Sequence, residues 1–249
     1  MTAVAWVSGM PLLVSEVDGR EAFLRGGPVA AVLPRERTGE GRQLRRWLVQ
    51  VLAAERLVAA EARMRGLSAG RPLSEIAPDR AAMLGLGSVA ADLLTRDPLA
   101  RAVFLAVTAD VTVPPGAVER CYDPERYRVP EERVVRHTIG AGPTRRRVLR
   151  RGELTGPVED AVFAAMAGET VGPVSDPLGT HVVVVEEVRP ARVRPLAEVR
   201  GAITEFLLSA ARRRAFTAWL DLRMANEVRL APGYEHPGDP AQPDNTHRH

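Results

Sequence analysis

The chain has 249 residues, of which 45% are apolar, so it is long enough for one large or two small domains with a hydrophobic core. No apolar run approaches the ~20 residues of a membrane-spanning helix, and we therefore expect no membrane partner. The net charge is only +3, carried by 34 arginines without a lysine, which argues against a nucleic-acid partner. The single cysteine, Cys121, excludes an internal disulfide bond.

The N-terminal segment lacks the pattern of a secretory signal, because no basic residue precedes Arg20. We therefore expect a cytoplasmic protein, unless the chain has been trimmed. Two arginine clusters, Arg145–Arg147 and Arg212–Arg214, have no interleaved aromatic residues for base stacking. We interpret them as solvated faces.

The N-terminal part of the chain is predicted to be mainly helical. Residues 3–25 are interpreted as a short strand, a glycine turn and a short helix that Ser15 would cap. The clearest helix spans residues 42–65, where apolar residues recur at helical spacing. Gly66 is placed to end this helix.

Two more helices are predicted over residues 79–95 and 98–109, separated at Asp97-Pro98 because proline disfavours helix at the residue before it. Asp79 is a possible cap of the first of them. A short helix ending near Tyr122 follows.

The middle of the chain predicts a small sheet. One strand is predicted over Arg133–Ile139, and four consecutive valines, Val182–Val185, favour a central strand covered on both faces. A further long helix is predicted from Leu196 to about Val228. Beyond Pro232 the chain has no apolar periodicity, which is typical of an extended tail.

The segment from Arg151 to Pro190 contains, in order, a Gly-Glu-Leu turn, a short helix, a Gly-Glu turn, a Gly-Pro-Val strand, a Gly-Thr-His turn and an apolar strand. This order resembles the second half of a parvulin-type peptidyl-prolyl isomerase domain. The flanking helices resemble those of the SurA and PrsA foldases, whose C-terminal helix returns to pack on the N-terminal helices.

The resemblance implies an α+β fold in which a reduced parvulin-like domain with a small β-sheet is inserted into a helical, SurA-like domain. The implied boundaries are residues 1–131 for the helical part, 132–190 for the parvulin-like part, 191–232 for the C-terminal helix and 233–249 for a tail. The helical insert that usually follows the first parvulin strand is missing, since only Gly140–Arg151 connects that strand to the Gly-Glu-Leu turn. The Cys or Asp that the family carries there has no counterpart, because Cys121 lies upstream of the strand.

The resemblance also implies a site. His137 and His181 match the two histidines that face each other across the parvulin sheet, and they are the catalytic residues that it implies. Leu154, Phe163 and Thr180 are the implied substrate-binding residues. Two alternatives stay open: the histidine pair can serve the fold alone, and Leu154 and Phe163 can belong to the core if the insert is absent.

Thr138 and Thr180 are expected as hydroxyl partners of the two histidines. Three other histidines, His236, His247 and His249, lie in the tail, where too few further ligands are spaced to hold a metal. We therefore expect neither a metal nor a cofactor.

The leading functional hypothesis is a peptidyl-prolyl cis–trans isomerase or polypeptide-binding foldase that acts on proline-containing polypeptides. The alternative is a parvulin-like scaffold without isomerase activity, recruited as a cytosolic binding protein or for small-molecule biosynthesis. In the second case the tail histidines would complete the site. The oligomeric state is left open.

Overall fold

The computed structural model describes residues 2–68, 72–77 and 79–235, and it confirms the predicted α+β class. The helices are α1 (Val14–Arg25), α2 (Gly39–Arg65), α3 (Arg80–Leu84), α4 (Ser88–Arg96), α5 (Pro98–Val107), α6 (Ala117–Cys121), α7 (Pro157–Ala164) and α8 (Leu196–Glu227). The strands are β1 (Ala3–Val7), β2 (Met10–Leu13), β3 (Arg128–Val129), β4 (Glu132–Ile139), β5 (Arg145–Arg150), β6 (Thr170–Asp176), β7 (Gly179–Arg189), β8 (Arg192–Val193) and β9 (Val228–Leu230). Three short 3₁₀ turns are Ala30–Val32, Leu73–Glu75 and Pro124–Tyr127.

The chain forms two compact units. The first combines the residues up to Val113 with those from Glu205 onward, and the second is Pro114–Thr204. Among the described helices, none combines the length and the apolar character that crossing a membrane requires. The predicted tail lies outside the described residues from position 236 onward.

The first unit begins with a small antiparallel sheet of strand order β2-β1-β9. Sequence reasoning placed one strand here and missed both β2 and β9; β9 returns from the other end of the chain to pair with β1. Ser15 does not cap α1, because the helix already begins at Val14. Instead, the Glu16 carboxylate accepts a hydrogen bond of 2.8 Å from the backbone N–H of Leu13.

The predicted helix over residues 42–65 is confirmed as α2, which begins three residues earlier. The hydroxyl of Thr38 caps it by accepting a hydrogen bond of 3.1 Å from the N–H of Gly41. Gly66 ends it in the left-handed conformation, with φ of 64°, as the sequence predicted.

The segment predicted as one helix over residues 79–95 is divided into α3 and α4 at Gly85–Gly87. Gly87 has φ of 74°, a conformation that does not fit a continuous helix. The predicted break before Pro98 is confirmed, and Asp97 caps α5 through a hydrogen bond of 2.8 Å from the N–H of Leu99. The carboxylate of Asp79 likewise caps α3.

The main core of the first unit joins residues that are distant in sequence. Phe216 of α8 is fully buried, and its ring lies 5.3 Å from that of Phe104 and 5.6 Å from that of Trp219. A buried carboxylate, Glu61 of α2, lies beside this helix and receives hydrogen bonds of 2.6 Å from Arg65 and Arg223. The C-terminal helix therefore completes the N-terminal core.

The second unit contains a four-stranded antiparallel sheet of order β5-β4-β7-β6. Helix α7 covers one face, where Val158 and Val162 pack with Val135 and Val185 in one buried cluster. Along β7 the buried and the more exposed residues alternate, and Val182 is 38% exposed. The prediction of a strand covered on both faces is therefore wrong, although β7 is central in the sheet.

Candidate active site at the end of the second sheet

Two histidines lie on the covered face of the sheet. Side chains along a strand alternate between faces, so His137 shares a face with Val135, and His181 shares one with Val183. In the pairing of β4 with β7, His137 lies opposite Val183 and Ile139 lies opposite His181. The two histidines are thus diagonal neighbours on adjacent strands, within reach of each other.

A chain of hydrogen bonds links three side chains at this end of the sheet. The Nε2 atom of His137 lies 2.8 Å from Nδ1 of His181, and Nε2 of His181 lies 2.7 Å from Oδ1 of Asp176. The residues His137 and His181 are 3% and 2% exposed, so bulk water does not compete for these bonds. The sequence-predicted histidine pair is therefore brought together, with Asp176 as a third member that sequence reasoning missed.

The carboxylate of Asp176 fixes the direction of these bonds. An ionised carboxylate only accepts hydrogen bonds, so Nε2 of His181 must be the donor to it. A neutral His181 then has a bare Nδ1, which accepts the Nε2–H of His137. With both imidazoles neutral, this arrangement fixes both tautomers and leaves Nδ1 of His137 as an acceptor.

This acceptor is buried and has no hydrogen-bond partner among the described residues. A buried polar atom without a partner costs about 1–3 kcal/mol, so such an atom calls for an explanation. The free lone pair of this nitrogen can accept a hydrogen bond from a bound group.

The charges of the site are set by its surroundings. Burial is the main cause that lowers the pKa of His137, and the nearby His181 and Arg147 lower it further. Burial by itself would raise the pKa of Asp176, but hydrogen bonds from His181 and from the N–H of Leu178 outweigh it, so that this pKa is lowered. Asp176 is thus ionised and His137 neutral at neutral pH.

The position of Asp176 follows from the turn that joins β6 to β7. Asp176 and Gly179 are the last pair of the ladder, and the carboxylate accepts a hydrogen bond of 2.7 Å from the N–H of Leu178. An aspartate that binds its own turn in this way is a common turn former. Gly172 lies farther along β6, with φ of 112°, and a Cβ there would meet the carbonyl oxygen of His181.

The structure does not bring the predicted threonines to the histidine pair. Thr180 is exposed, and its hydroxyl lies 3.2 Å from that of Ser175. The hydroxyl of Thr138 lies 2.7 Å from that of Thr144. Both threonines point away because each is adjacent in sequence to a histidine that points inward. The prediction of a hydroxyl partner is therefore wrong, and a carboxylate takes that place.

The residues predicted to bind substrate lie mainly in the core. Phe163 is 5% exposed, and the guanidinium carbons of Arg133 and Arg151 lie 5.2 and 4.7 Å from its ring centroid. Leu154 is half-buried and packs against the same cluster. This placement agrees with the alternative in which both belong to the core, and Phe163 offers no open surface to a substrate.

The segment between β4 and β5 is a short turn that begins at Gly140. The N–H of Gly140 donates a hydrogen bond of 2.7 Å to the carbonyl of Thr180, and β5 starts at Arg145. No helix separates β4 from β5 in this segment, as the sequence predicted. The turn joins the two strands directly, and they pair with each other. Cys121 ends α6, in the second unit before the sheet.

Within the described residues, no group of three or more His, Cys, Asp or Glu side chains is arranged to hold a metal ion. The tail histidines His236, His247 and His249 lie outside the described residues.

Residues 42–201 match the family of PPIC-type PPIase domains, which is most of the chain. The chain belongs to the PPIC-type peptidyl-prolyl isomerase family. This confirms the resemblance to parvulins that the sequence indicated. Residues 3–40 match a separate family of unknown function, and no curated protein sequence matches the chain.

The chain is also similar to solved structures, at low sequence identity. Two come from work on the virulence factor PEB4 and the periplasmic protein Cj1289, SurA-like chaperones of Campylobacter jejuni. They are 16% and 9% identical, cover 92% and 93% of this chain and 100% of their own, and have TM-scores of 0.42 and 0.43. A PrsA peptidylprolyl isomerase from Bacillus anthracis is 14% identical over 72% of this chain and 86% of its own, with a TM-score of 0.22.

Within this PPIC-type isomerase the family match includes the whole sheet of the second unit. The histidine pair and Asp176 therefore lie inside the domain that gives the family its activity on peptidyl-prolyl bonds.

Proposed function

We propose that this PPIC-type protein accelerates cis–trans isomerisation of Xaa-Pro bonds in polypeptides, at the sheet end that holds His137, His181 and Asp176. The observation that carries the proposal is the hydrogen-bonded chain of these three side chains. Its two imidazoles are buried, and its last atom, Nδ1 of His137, has no hydrogen-bond partner within the part of the chain that the structure describes.

Isomerisation needs no covalent step. The barrier of ~18–20 kcal/mol comes from amide resonance, which is lost as the bond twists. A site lowers it by matching the charge distribution of the twisted amide better than that of the planar one. Preorganised dipoles with fixed direction do this without reorganising during the reaction.

In this proposal Asp176 is a positioning residue. It holds His181 in one tautomer, and His181 in turn holds His137 with its Nδ1 as an acceptor. The acceptor attracts a backbone N–H of a bound polypeptide when the covering side chains open, and the neutral ring keeps the site free of a competing cation. The partly exposed Arg147 of β5 lies close enough to influence His137 electrostatically and is the side chain that we expect to move.

The test is Asp176→Asn in the full chain, with the isomerisation rate of a short Xaa-Pro peptide as the readout. We expect a fall of about tenfold, because the amide no longer fixes the His181 tautomer by charge. The pH profile of the remaining activity should also shift, which a merely structural role would not produce. The matched control is Asp160→Asn on the exposed side of α7, which should leave rate and pH profile unchanged.

An Asp176→Asn protein with the wild-type rate and pH profile would remove Asp176 from the mechanism. If wild type itself gives the uncatalysed rate while circular dichroism shows a folded protein, the isomerase assignment fails. His137→Ala and His181→Ala, measured in the same assay, extend the test to the other two members.

A second function is favoured by the burial of both imidazoles and by the short turn between β4 and β5. Together they suit a parvulin-like scaffold that binds polypeptides without isomerising them. Suppression of the aggregation of an unfolded client, with no acceleration of isomerisation, would support this scaffold.

Recruitment for small-molecule chemistry would instead require the tail, and removal of residues 233–249 would then abolish that activity. The cytoplasmic location stays a prediction, to be tested by cell fractionation.

A further inference from the structure

The first unit contains a cavity of about 760 Å³, separate from the sheet of the second unit. It lies between α2, the start of α4 and α8, and its walls are mostly apolar. The main apolar side chains that line it are Leu44, Trp47, Leu86, Leu220 and Met224. Its volume is within the range of sites that bind small organic molecules or short peptide segments.

The wall of the cavity contains a buried hydrogen-bond donor, the side-chain amide of Gln50. Gln50 of α2 lines it and is 6% exposed, and its Nε2 atom has no hydrogen-bond partner among the described residues. The indole N–H of Trp47, by contrast, donates to the hydroxyl of Ser88 at 3.2 Å. An unpaired amide donor in an apolar wall calls for an acceptor oxygen from a ligand.

The charge of the cavity has one sign. Among its described lining residues the charged ones are Glu40 and Asp221, although the chain has 34 arginines. Asp221 is exposed at the mouth, on α8. This arrangement favours a ligand with a positive charge next to its apolar part.

We propose that the cavity binds a short polypeptide segment in which an apolar side chain stands beside an arginine or a lysine. The apolar side chain fills the space between Leu44, Trp47 and Met224, a backbone carbonyl accepts from Gln50, and the basic side chain reaches Asp221. A peptide supplies all three groups within two or three residues. The proposal rests on the polypeptide-binding part of the proposed function and is independent of the isomerisation step.

The cavity also offers a driving force. Most of its wall area is contributed by apolar atoms. Release of water from these walls when an apolar side chain binds is therefore favourable.

Trp47 serves as the reporter for the experiment. In a full-length Trp6→Phe/Trp219→Phe protein, it is the remaining tryptophan, and its emission is followed during titration with acetyl-Leu-Phe-Arg-amide. We expect a saturable change, and at least about tenfold weaker binding of acetyl-Leu-Phe-Glu-amide. Raised salt should weaken the binding of the arginine peptide alone.

Two variants in the same background test the polar contacts. Gln50→Leu keeps the side-chain bulk and should weaken both peptides about tenfold, because the ligand carbonyl loses its donor. Asp221→Asn should weaken only the arginine peptide, about fivefold, and reduce its salt dependence. Asp110→Asn, an exposed acid away from the cavity, is the matched control and should change nothing.

Equal affinity for the arginine and the glutamate peptide would overturn the proposal, as would unchanged binding in both Gln50→Leu and Asp221→Asn. Phenethylamine that binds as tightly as the arginine peptide would assign the cavity to small amines instead. The aggregation assay distinguishes a failure of this binding site from a failure of the proposed function. A protein that suppresses client aggregation but binds neither peptide keeps the proposed function and loses this site.

Discussion

At the scale of single residues, the predicted histidine pair is confirmed, but its polar partner differs from the prediction. The sequence placed His137 and His181 on strands, and the parvulin resemblance implied that they face each other across the sheet. Thr138 and Thr180 were expected as the hydroxyl partners of this pair, and each is next to one of the histidines in sequence. Adjacent residues of a strand point to opposite faces, and so the partner came from Asp176 across the turn.

The buried His137 makes stability depend on pH. Its pKa is lowered in the folded state, mainly by burial, so the unfolded chain takes up a proton more readily. This contribution to stability is fully present above the ordinary histidine pKa of about 6.5 and is lost as the pH falls from there through the lower, folded pKa. We expect the urea midpoint of the wild type to fall between pH 7.5 and 5.5.

His137→Phe removes the titrating ring, so its urea midpoint should fall less over the same interval. Asp176, whose lowered pKa acts only below its ordinary value of 3.8, is ionised in both states throughout this window. Parallel pH dependences of the variant and the wild type would contradict the assignment to His137.

At the scale of secondary structure, β5 is one of the strands that sequence reasoning missed. Its arginines were interpreted as a solvated face, and that is true of most of them, since Leu149 is the one buried residue of the strand. The strand forms because its backbone pairs with β4 from Glu132 to His137. Arginines suit it, as an edge strand with charged side chains resists pairing with other chains.

The close approach of β6 to β7 gives a test at the same scale. Gly172→Ala places a methyl group against the carbonyl of His181, at a φ of 112° that alanine disfavours. We expect a loss of more than about 2 kcal/mol in the free energy of unfolding, from strain together with overlap. Gly168→Ala is the matched control, because its φ is 91° and its Cβ would meet no atom within 4 Å.

In urea unfolding, Gly168→Ala reports the backbone strain alone, and the difference between the two variants reports the overlap. Equal losses would mean that the neighbouring strand accommodates the methyl group.

At the scale of the whole molecule, the first unit is closed by residues from both ends of its sequence. Strand β9 pairs with β1, and Phe216 of α8 fills the core beside Phe104. The C-terminal helix was predicted to pack on the N-terminal helices through the family resemblance, and these contacts show it doing so within this unit.

Phe216→Ala should therefore cost about 3–5 kcal/mol of unfolding free energy, since the side chain is fully buried. Phe206→Ala, on the same helix, removes a ring that is 64% exposed and should change stability by less than about 0.5 kcal/mol. Thermal unfolding followed by circular dichroism measures both. A small loss at Phe216 would mean that α8 is not part of the core.

The sequence by itself determined the two long helices, the helix end at Gly66 and the break before Pro98, because these depend on local periodicity and on backbone preferences of single residues. The two histidines were predicted through the parvulin resemblance. Tertiary structure decided which side chains meet. The pairing of β4 with β7 brought His137 to His181, and the return of α8 formed the cavity beside Gln50. Such contacts join residues far apart in the chain, and therefore no local sequence pattern predicts them.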